Sequence, residues 1–377
     1  MVEEEKTNEL EQPERLREIK RQRKKKSLSI VIPTVCILVF VTLITASVVL
    51  YVWLDKGLQE EKEEAVVNSD EVVIQQVADS QHDMLTREEV EEMMRQARKE
   101  GADEILLQLA ESINNSANIT SALRPLYKDC LVVASEGDYH FVPIDRTLKM
   151  NQYDEENLQV LGNGLVEYAE DGVLISHKGI DVSKHQGNID WSKVAADGVE
   201  FAFVRVGNRG YGSGAIVEDP QFEANVVGAI TNDIKVGVYF FSQAITVEEA
   251  REEARFVLEK IAPYKITCPI VLDVEKVADS DARMNKISKE QRTENTLEFL
   301  QEIEAAGYKA MLYHNMEMAV LKLDMKQLEE YEKWFAYYNK EMYYPYAYSV
   351  WQYSDKGRVN GIQGDVDMNI SFHLWEE

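Results

Sequence analysis

Positive charge is scarce in this 377-residue chain: 41 Lys and Arg stand against 67 Asp and Glu, a net of −26. Residues 1–27 hold nine of the basic and seven of the acidic side chains, a net of +2, so the rest of the chain carries −28. Such a surface repels phosphate backbones, which excludes nucleic acid as a partner. Cysteine and histidine are scarce too, three and six residues, and no cluster of them forms a metal-ligand pattern. No metal or cofactor is therefore expected. Cys36 sits in an apolar run, and Cys130 and Cys268 either pair with each other or remain free thiols; their spacing does not decide between the two.

A third absence is local. No Asp, Glu, Lys or Arg occurs from Leu28 to Leu54, a run of 27 mostly aliphatic residues. About 20 such residues suffice to cross a bilayer core. The run is too long and begins too far from the N-terminus for a cleaved signal peptide, and it ends in Tyr51-Val52-Trp53-Leu54, an interfacial aromatic anchor. The expectation is one transmembrane helix over 28–54. Arg17, Lys20, Arg21, Arg23, Lys24, Lys25 and Lys26 precede it, and Asp55, Lys56, Glu60, Glu61, Glu63 and Glu64 follow. Positive flanks stay inside, so residues 1–27 are expected to be a cytoplasmic tail of a single-pass protein of the cell membrane, with everything after Leu54 outside.

Residues 55–124 read as a helical stalk. Within it Val90, Met93, Met94, Ala97, Ala102, Ile105, Leu106, Leu109 and Ile113 recur at spacings near three and four, the period of an amphipathic helix. Two uses fit: a self-associating coiled coil, or a spacer with one face packed. Residues 125–178 alternate short apolar runs with polar turns such as Glu136-Gly137-Asp138, which predicts a small β-rich module.

From Gly179 the pattern becomes regular. Strands are predicted at 179–182, 200–206, 235–241, 269–274, 309–313, 333–337, 348–353 and 365–369. Helices are predicted at 220–230, 247–261, 289–305 and 325–331. This is an α/β chain, an irregular eight-stranded β/α (TIM-like) barrel over 179–377. In such barrels functional side chains lie at strand ends. Asp181 ends the first strand. Asp273 and Glu275, two residues apart on the fourth, share a face. Asp367 lies on the eighth. Neighbouring carboxylates raise each other's proton affinity, which suits one of them to protonate a leaving oxygen. Ten of the 18 tyrosines lie between Tyr308 and Tyr353. Aromatic faces stack on sugar rings, and Tyr239, Tyr313, Tyr337, Trp351 and Gln352, at strand ends, are the candidates to line a glycan groove.

The run Gly179-Ile-Asp-Val-Ser-Lys-His-Gln-Gly187, then Asp190-Trp191, Gly237-Val-Tyr-Phe-Phe-Ser242, Asp273-Val-Glu275, Trp351-Gln-Tyr-Ser354 and Asp365-Val-Asp367 resemble glycoside hydrolase family 25, the Chalaropsis-type lysozymes. The resemblance covers about 179–372. It implies a barrel that cleaves the β-1,4 bond between N-acetylmuramic acid and N-acetylglucosamine. It further implies Glu275 as general acid, Asp273 as second catalytic carboxylate, Asp181 and Asp367 as supporting acids, and Tyr239 as a substrate contact. It favours retention of configuration through the substrate's N-acetyl group, a question the spacing of the acids leaves open. Phe240 departs from the pattern, since many members carry histidine there. Peptidoglycan strands are thus the expected partner, with the membrane and an envelope-spanning complex as further ones. The expected role is local wall remodelling by a tethered enzyme. The alternative is a non-catalytic wall-binding module.

Overall fold

The computed structural model describes residues 86–116, 118–339 and 342–375, which fall into two units, 86–104 and 105–375. The predicted membrane span at 28–54, its basic flank and the stalk up to residue 85 lie outside the described residues. Among the described residues no helix is long and apolar enough to cross a membrane.

Helix α1 (Arg87–Asn115) occupies the predicted amphipathic stretch, and Gly101 does not interrupt it. Met93, Ile105, Leu106 and Ile113 of the predicted stripe are more than half exposed. A short helix, α2 (Ile119–Leu123), follows, capped by the Asn118 side chain, which accepts from the Ser121 amide.

Two small sheets come next. Strands β1 (Cys130–Ser135) and β2 (Asp138–Pro143) form an antiparallel hairpin. Its two-residue turn, Glu136-Gly137, has φ of 55° and 94°. Positive φ at both central positions defines the tight turn that matches strand twist, and glycine takes it without a Cβ penalty. Strands β3 (Leu158–Val160), β4 (Val166–Glu170) and β5 (Val173–Leu174) form a second antiparallel sheet.

The barrel is made of eight strands: β6 (His177–Val182), β7 (Phe201–Arg209), β9 (Lys235–Phe241), β10 (Ile270–Asp273), β11 (Ala310–Asn315), β12 (Glu332–Ala336), β13 (Val350–Gly357) and β14 (Val366–Ser371). A short β8 (Ile216–Glu218) pairs with β7 outside the ring. Pairing of β6 with both β7 and β14 closes the circle. Strands β6 to β13 run parallel around the barrel, but β14 is antiparallel to both neighbours. A direct turn from β13 into β14 leaves no room for the crossover helix that parallel pairing needs.

Helices α3 (Trp191–Ala196), α4 (Phe222–Thr231), α5 (Val247–Ile261) and α6 (Lys289–Ala305) connect the earlier strands. Thr246 and Ser288 cap α5 and α6 by accepting from the amides of Glu249 and Gln291. The helix predicted at 325–331 is absent; the segment is a series of turns. Its amides bond three residues back, Gln327 to Asp324 and Tyr331 to Leu328, and the Lys333 ammonium takes the carbonyls of Leu328, Glu329 and Tyr331. Those carbonyls are satisfied without a helix.

Strand alternation splits the core in two. Phe201, Phe203, Val271, Met311, Tyr313, Trp334, Val350 and Trp375 fill the barrel interior. Residues of opposite parity, such as Val204, Phe240, Leu272, Leu312 and Phe335, pack outward in a larger cluster. Gly179 is required by the interior packing: a Cβ there would lie 2.1 Å from the Phe201 ring. Cys130 and Cys268 are free thiols.

Candidate active site

The carboxyl ends of the parallel strands make one mouth, and four acids reach it from three strands. Asp181 lies near the end of β6, and Asp367, at the start of the antiparallel β14, is its register partner. Asp273 closes β10 and pairs in register with Tyr313 of β11. Glu275 lies two residues beyond the strand, where the Val274 amide still bonds to the Tyr313 carbonyl. The extended backbone thus carries on far enough to keep the two-residue period.

Asp181 is buried and clamped. Its Oδ2 accepts from Gln352 Nε2 at 2.8 Å and from Asn369 Nδ2 at 2.9 Å. The clamp is itself oriented. Trp334 Nε1 donates to Asn369 Oδ1 at 2.7 Å, and the hydroxyls of Tyr313 and Tyr338 donate to Gln352 Oε1 at 2.9 and 2.8 Å. Amide groups fixed in this way present N–H to the acid and hold its carboxylate form. Asp273 is buried as well, yet its Oδ1 has no partner.

Every one of the four acids holds its proton more tightly than usual. Burial pushes Asp181 up to about 6, against the opposing pull of its two amide donors. Burial, then the charges of Glu275 and Asp181, push Asp273 well above the carboxylate range, with Arg205 opposing. Glu275, half-buried, rises to about 7 through burial and the charge of Asp367. Asp367 rises to about 8 through burial and the charges of Asp181 and Asp355. Crowded acids in a low-dielectric mouth cannot all ionise, so a proton is retained near neutral pH. That is the supply a general acid needs.

The candidate sugar contacts divide by strand parity. Tyr239 belongs to the interior, where burial raises its hydroxyl pKa, and it packs edge-on to Trp334. Tyr313 and Gln352 sit in the mouth, as described. Tyr337 belongs to the outer cluster, but it borders a groove of about 370 Å³ that also contains Glu275 and Tyr313. Trp351 corrects its prediction. It lies in the outer cluster, 1% exposed, with Nε1 donating to the Tyr337 carbonyl at 2.7 Å. Val350 and Gln352 take the inward positions of β13, so Trp351 faces away. Phe240, the departure from the family pattern, likewise packs outward against Phe256, away from the mouth.

Asn369, Tyr338 and Arg205 belong to the site without having been singled out in the sequence. Asn369 had a usable signal, two residues past Asp367 on the same strand face. Arg205, paired with Asp219 at 2.6 Å, stands two residues past Phe203 in the same way. Tyr338 follows a strand end and had none. Among the described residues no group of His, Cys, Asp and Glu is arranged to hold a metal ion.

Residues 180–362 match the model of glycosyl hydrolases family 25. The chain is 31% identical over 205 residues to the uncharacterized protein YegX of Escherichia coli (strain K12), covering 51% of this chain and 68% of that one. It is 25% identical over 193 residues to the autolytic lysozyme of Clostridium acetobutylicum, covering 51% of this chain and 55% of the clostridial protein. Among solved structures, a family 25 glycosyl hydrolase from Bacillus anthracis aligns at 24% identity with a TM-score of 0.45, over 55% of this chain and 93% of that one.

Proposed function

The chain belongs to glycosyl hydrolase family 25 and is a glycoside hydrolase, and from that premise we propose that it is a membrane-tethered N-acetylmuramidase acting on peptidoglycan. The observation that carries this reading is the convergence of Asp181, Asp273, Glu275 and Asp367 on one mouth, each with raised proton affinity.

Glu275 is the acid. With a pKa of about 7 it is about half protonated at neutral pH and delivers that proton to the glycosidic oxygen as the bond to the anomeric carbon breaks. Asp273 orients the substrate's own N-acetyl group, whose carbonyl oxygen attacks the anomeric carbon. Water then opens the cyclic intermediate and returns a proton to Glu275, so configuration is retained. Asp181, locked by Gln352 and Asn369, and Asp367 set the charge felt by the other two and bond sugar hydroxyls. Tyr239, Tyr313 and Tyr337 provide aromatic and hydroxyl contacts for the sugar rings.

Replacement of Glu275 by Gln tests this reading. Release of reducing ends from purified peptidoglycan is expected to fall by about 10²–10⁴-fold. In the wild type, kcat/KM is expected to decline as pH rises past about 7, where Glu275 loses its proton. Wall binding without cleavage by the wild-type protein would instead favour the wall-binding alternative.

The uncharged run Leu28–Leu54 with its basic flank supports single-pass anchoring with the barrel outside. Helix α1 alone, 29 residues, spans about 44 Å at 1.5 Å per residue. The uncovered apolar residues of α1 suit self-association of the stalk. An enzyme so held trims wall near its own membrane, as the passage of an envelope-spanning complex requires. Lysis of neighbouring cells from outside by the overproduced intact protein would contradict that role.

A further inference from the structure

The segment 118–144 precedes the family match, yet it forms one side of the opening beside Glu275. Its hairpin is fastened to the barrel at both ends. Near the base, the Val132 amide donates to the Tyr343 hydroxyl at 2.9 Å, and that hydroxyl donates to the Cys130 carbonyl at 2.9 Å. Near the tip, Ser135 Oγ donates to Glu317 Oε1 at 2.6 Å. Glu136 accepts from the ammonium groups of Lys276 and Lys322, each at 3.2 Å. Lys276 is the residue directly after Glu275, so the tip is tied to the backbone that carries the acid. Leu131, Val132 and Val133 are buried beneath.

Between this hairpin and the mouth runs the groove of about 370 Å³, lined by Arg124, Val133, Ala134, Glu275, Tyr313 and Tyr338, among others. Arg124 is the one cation among its lining residues. The guanidinium is held in place rather than neutralised. Nη1 donates to the Tyr337 hydroxyl at 2.7 Å, and the group lies over the Tyr343 ring at 3.9 Å from its centroid. Among the described residues no carboxylate forms an ion pair with it, although four acids crowd the neighbouring mouth and the chain carries a net of −26. A planar donor fork kept free of protein carboxylates is suited to a carboxylate from elsewhere.

We propose that this groove is a substrate subsite built by the accessory segment, in which Arg124 receives a carboxylate of the peptidoglycan strand. The inference rests on the muramidase reading. Two carboxylates of that substrate fit: the lactyl group of a peptide-free muramic acid, and a carboxylate of the stem peptide. Arg124 is a specificity-determining residue here, and takes no part in proton transfer. The uncovered side of Ala134 marks where the strand passes.

The test uses the full chain and two soluble glycan substrates, one with intact stem peptides and one stripped of them by an amidase. R124A and A134W are compared with wild type, and R124K tests whether charge alone suffices. Both R124A and A134W are expected to lower kcat/KM roughly tenfold or more through KM, with kcat and the alkaline pH limb unchanged, and R124K to recover only part. A loss for R124A confined to the peptide-bearing substrate assigns the carboxylate to the stem peptide; a loss confined to the stripped one assigns it to the lactyl group. Equal values for wild type and R124A on both substrates, an equal loss on both, or a gain in activity from A134W overturns the proposal. Wild type inactive on both substrates defeats the muramidase reading itself, and is seen before any variant is made.

Discussion

The two ends of the barrel hold charge in opposite ways. At the amino ends of the parallel strands Lys178, His177, Lys235 and Glu332 each have a partner. Lys178 Nζ meets both the carbonyl and the carboxylate of Asp197 at 2.9 Å, and His177 meets Glu200 at 2.8 Å. Lys235 donates to the Trp375 carbonyl at 3.0 Å, while the Trp375 indole donates to Glu332 at 3.3 Å. At the carboxyl ends four acids face one another, Asp273 Oδ1 has no partner, and proton affinities are raised throughout. Satisfied charges make the closed end a structural plug. The open end stores unfavourable electrostatics, which is the condition for acid catalysis at neutral pH. A cavity of about 460 Å³ near the amino ends of β12 and β13 is roomier than the groove beside Glu275, but its acids, Glu329, Glu330 and Glu332, each accept from a neighbour, and it is no rival site.

This contrast can be broken by substitution at either end. The largest effect is expected from Asp273→Asn at the mouth: a fall in kcat of about 10²–10⁴-fold with the melting temperature unchanged or raised, checked by reducing-end assay and thermal melt. A variant that keeps wild-type activity would remove Asp273 from the chemistry. At the other end, Trp375→Ala empties a buried site against Phe201 and Phe203. It is expected to cost about 3–5 kcal/mol in denaturant unfolding while kcat/KM of the folded fraction stays within about fivefold. Equal damage to catalysis would show that the two ends are not independent.

The smallest effect sharpens the electrostatic side. Glu275 has its folded pKa raised to about 7 from an ordinary value of about 4.3. A raised carboxyl contributes stability that is fully present below the ordinary pKa and is lost as pH climbs through the folded one. Wild type is therefore expected to lose stability between about pH 4 and 8 relative to E275Q. The gap should be on the order of 1–3 kcal/mol at pH 8, discounted for partial exposure, and absent at pH 4. Denaturant melts across that range measure it, and a gap that widens toward acid would contradict the charge crowding.

Much of the mouth is legible in the chain because the strand period is two. Asp273 and Glu275 share a face on that ground alone, and the period carries past the strand end through the Val274 bond to Tyr313. The same rule misplaces Trp351, because a strand-end run contains residues of both parities and the sequence does not say which parity is inward. Gln352 takes the inward position and Trp351 the outward one. That the barrel is irregular is legible in the chain, but the reversal of β14, which brings Asp367 opposite Asp181, is set by the short connection and by the pairing of β14 with β13 and β6. Arg124 stands 213 residues from Tyr337, its partner across the groove, and no local pattern links them.

Sequence alone determined the chemistry available: acids two apart on one strand, the ordered motifs of family 25, and an excess of acidic over basic side chains. These are properties of composition and short-range period, fixed before the chain folds. Tertiary structure decided which of those acids meet, how the Gln352 and Asn369 clamp holds Asp181, which aromatic side chains face the opening, and that a hairpin outside the family match borders it. Such outcomes depend on barrel closure and on contacts between residues far apart in the chain, where burial and neighbouring charge set what each group does.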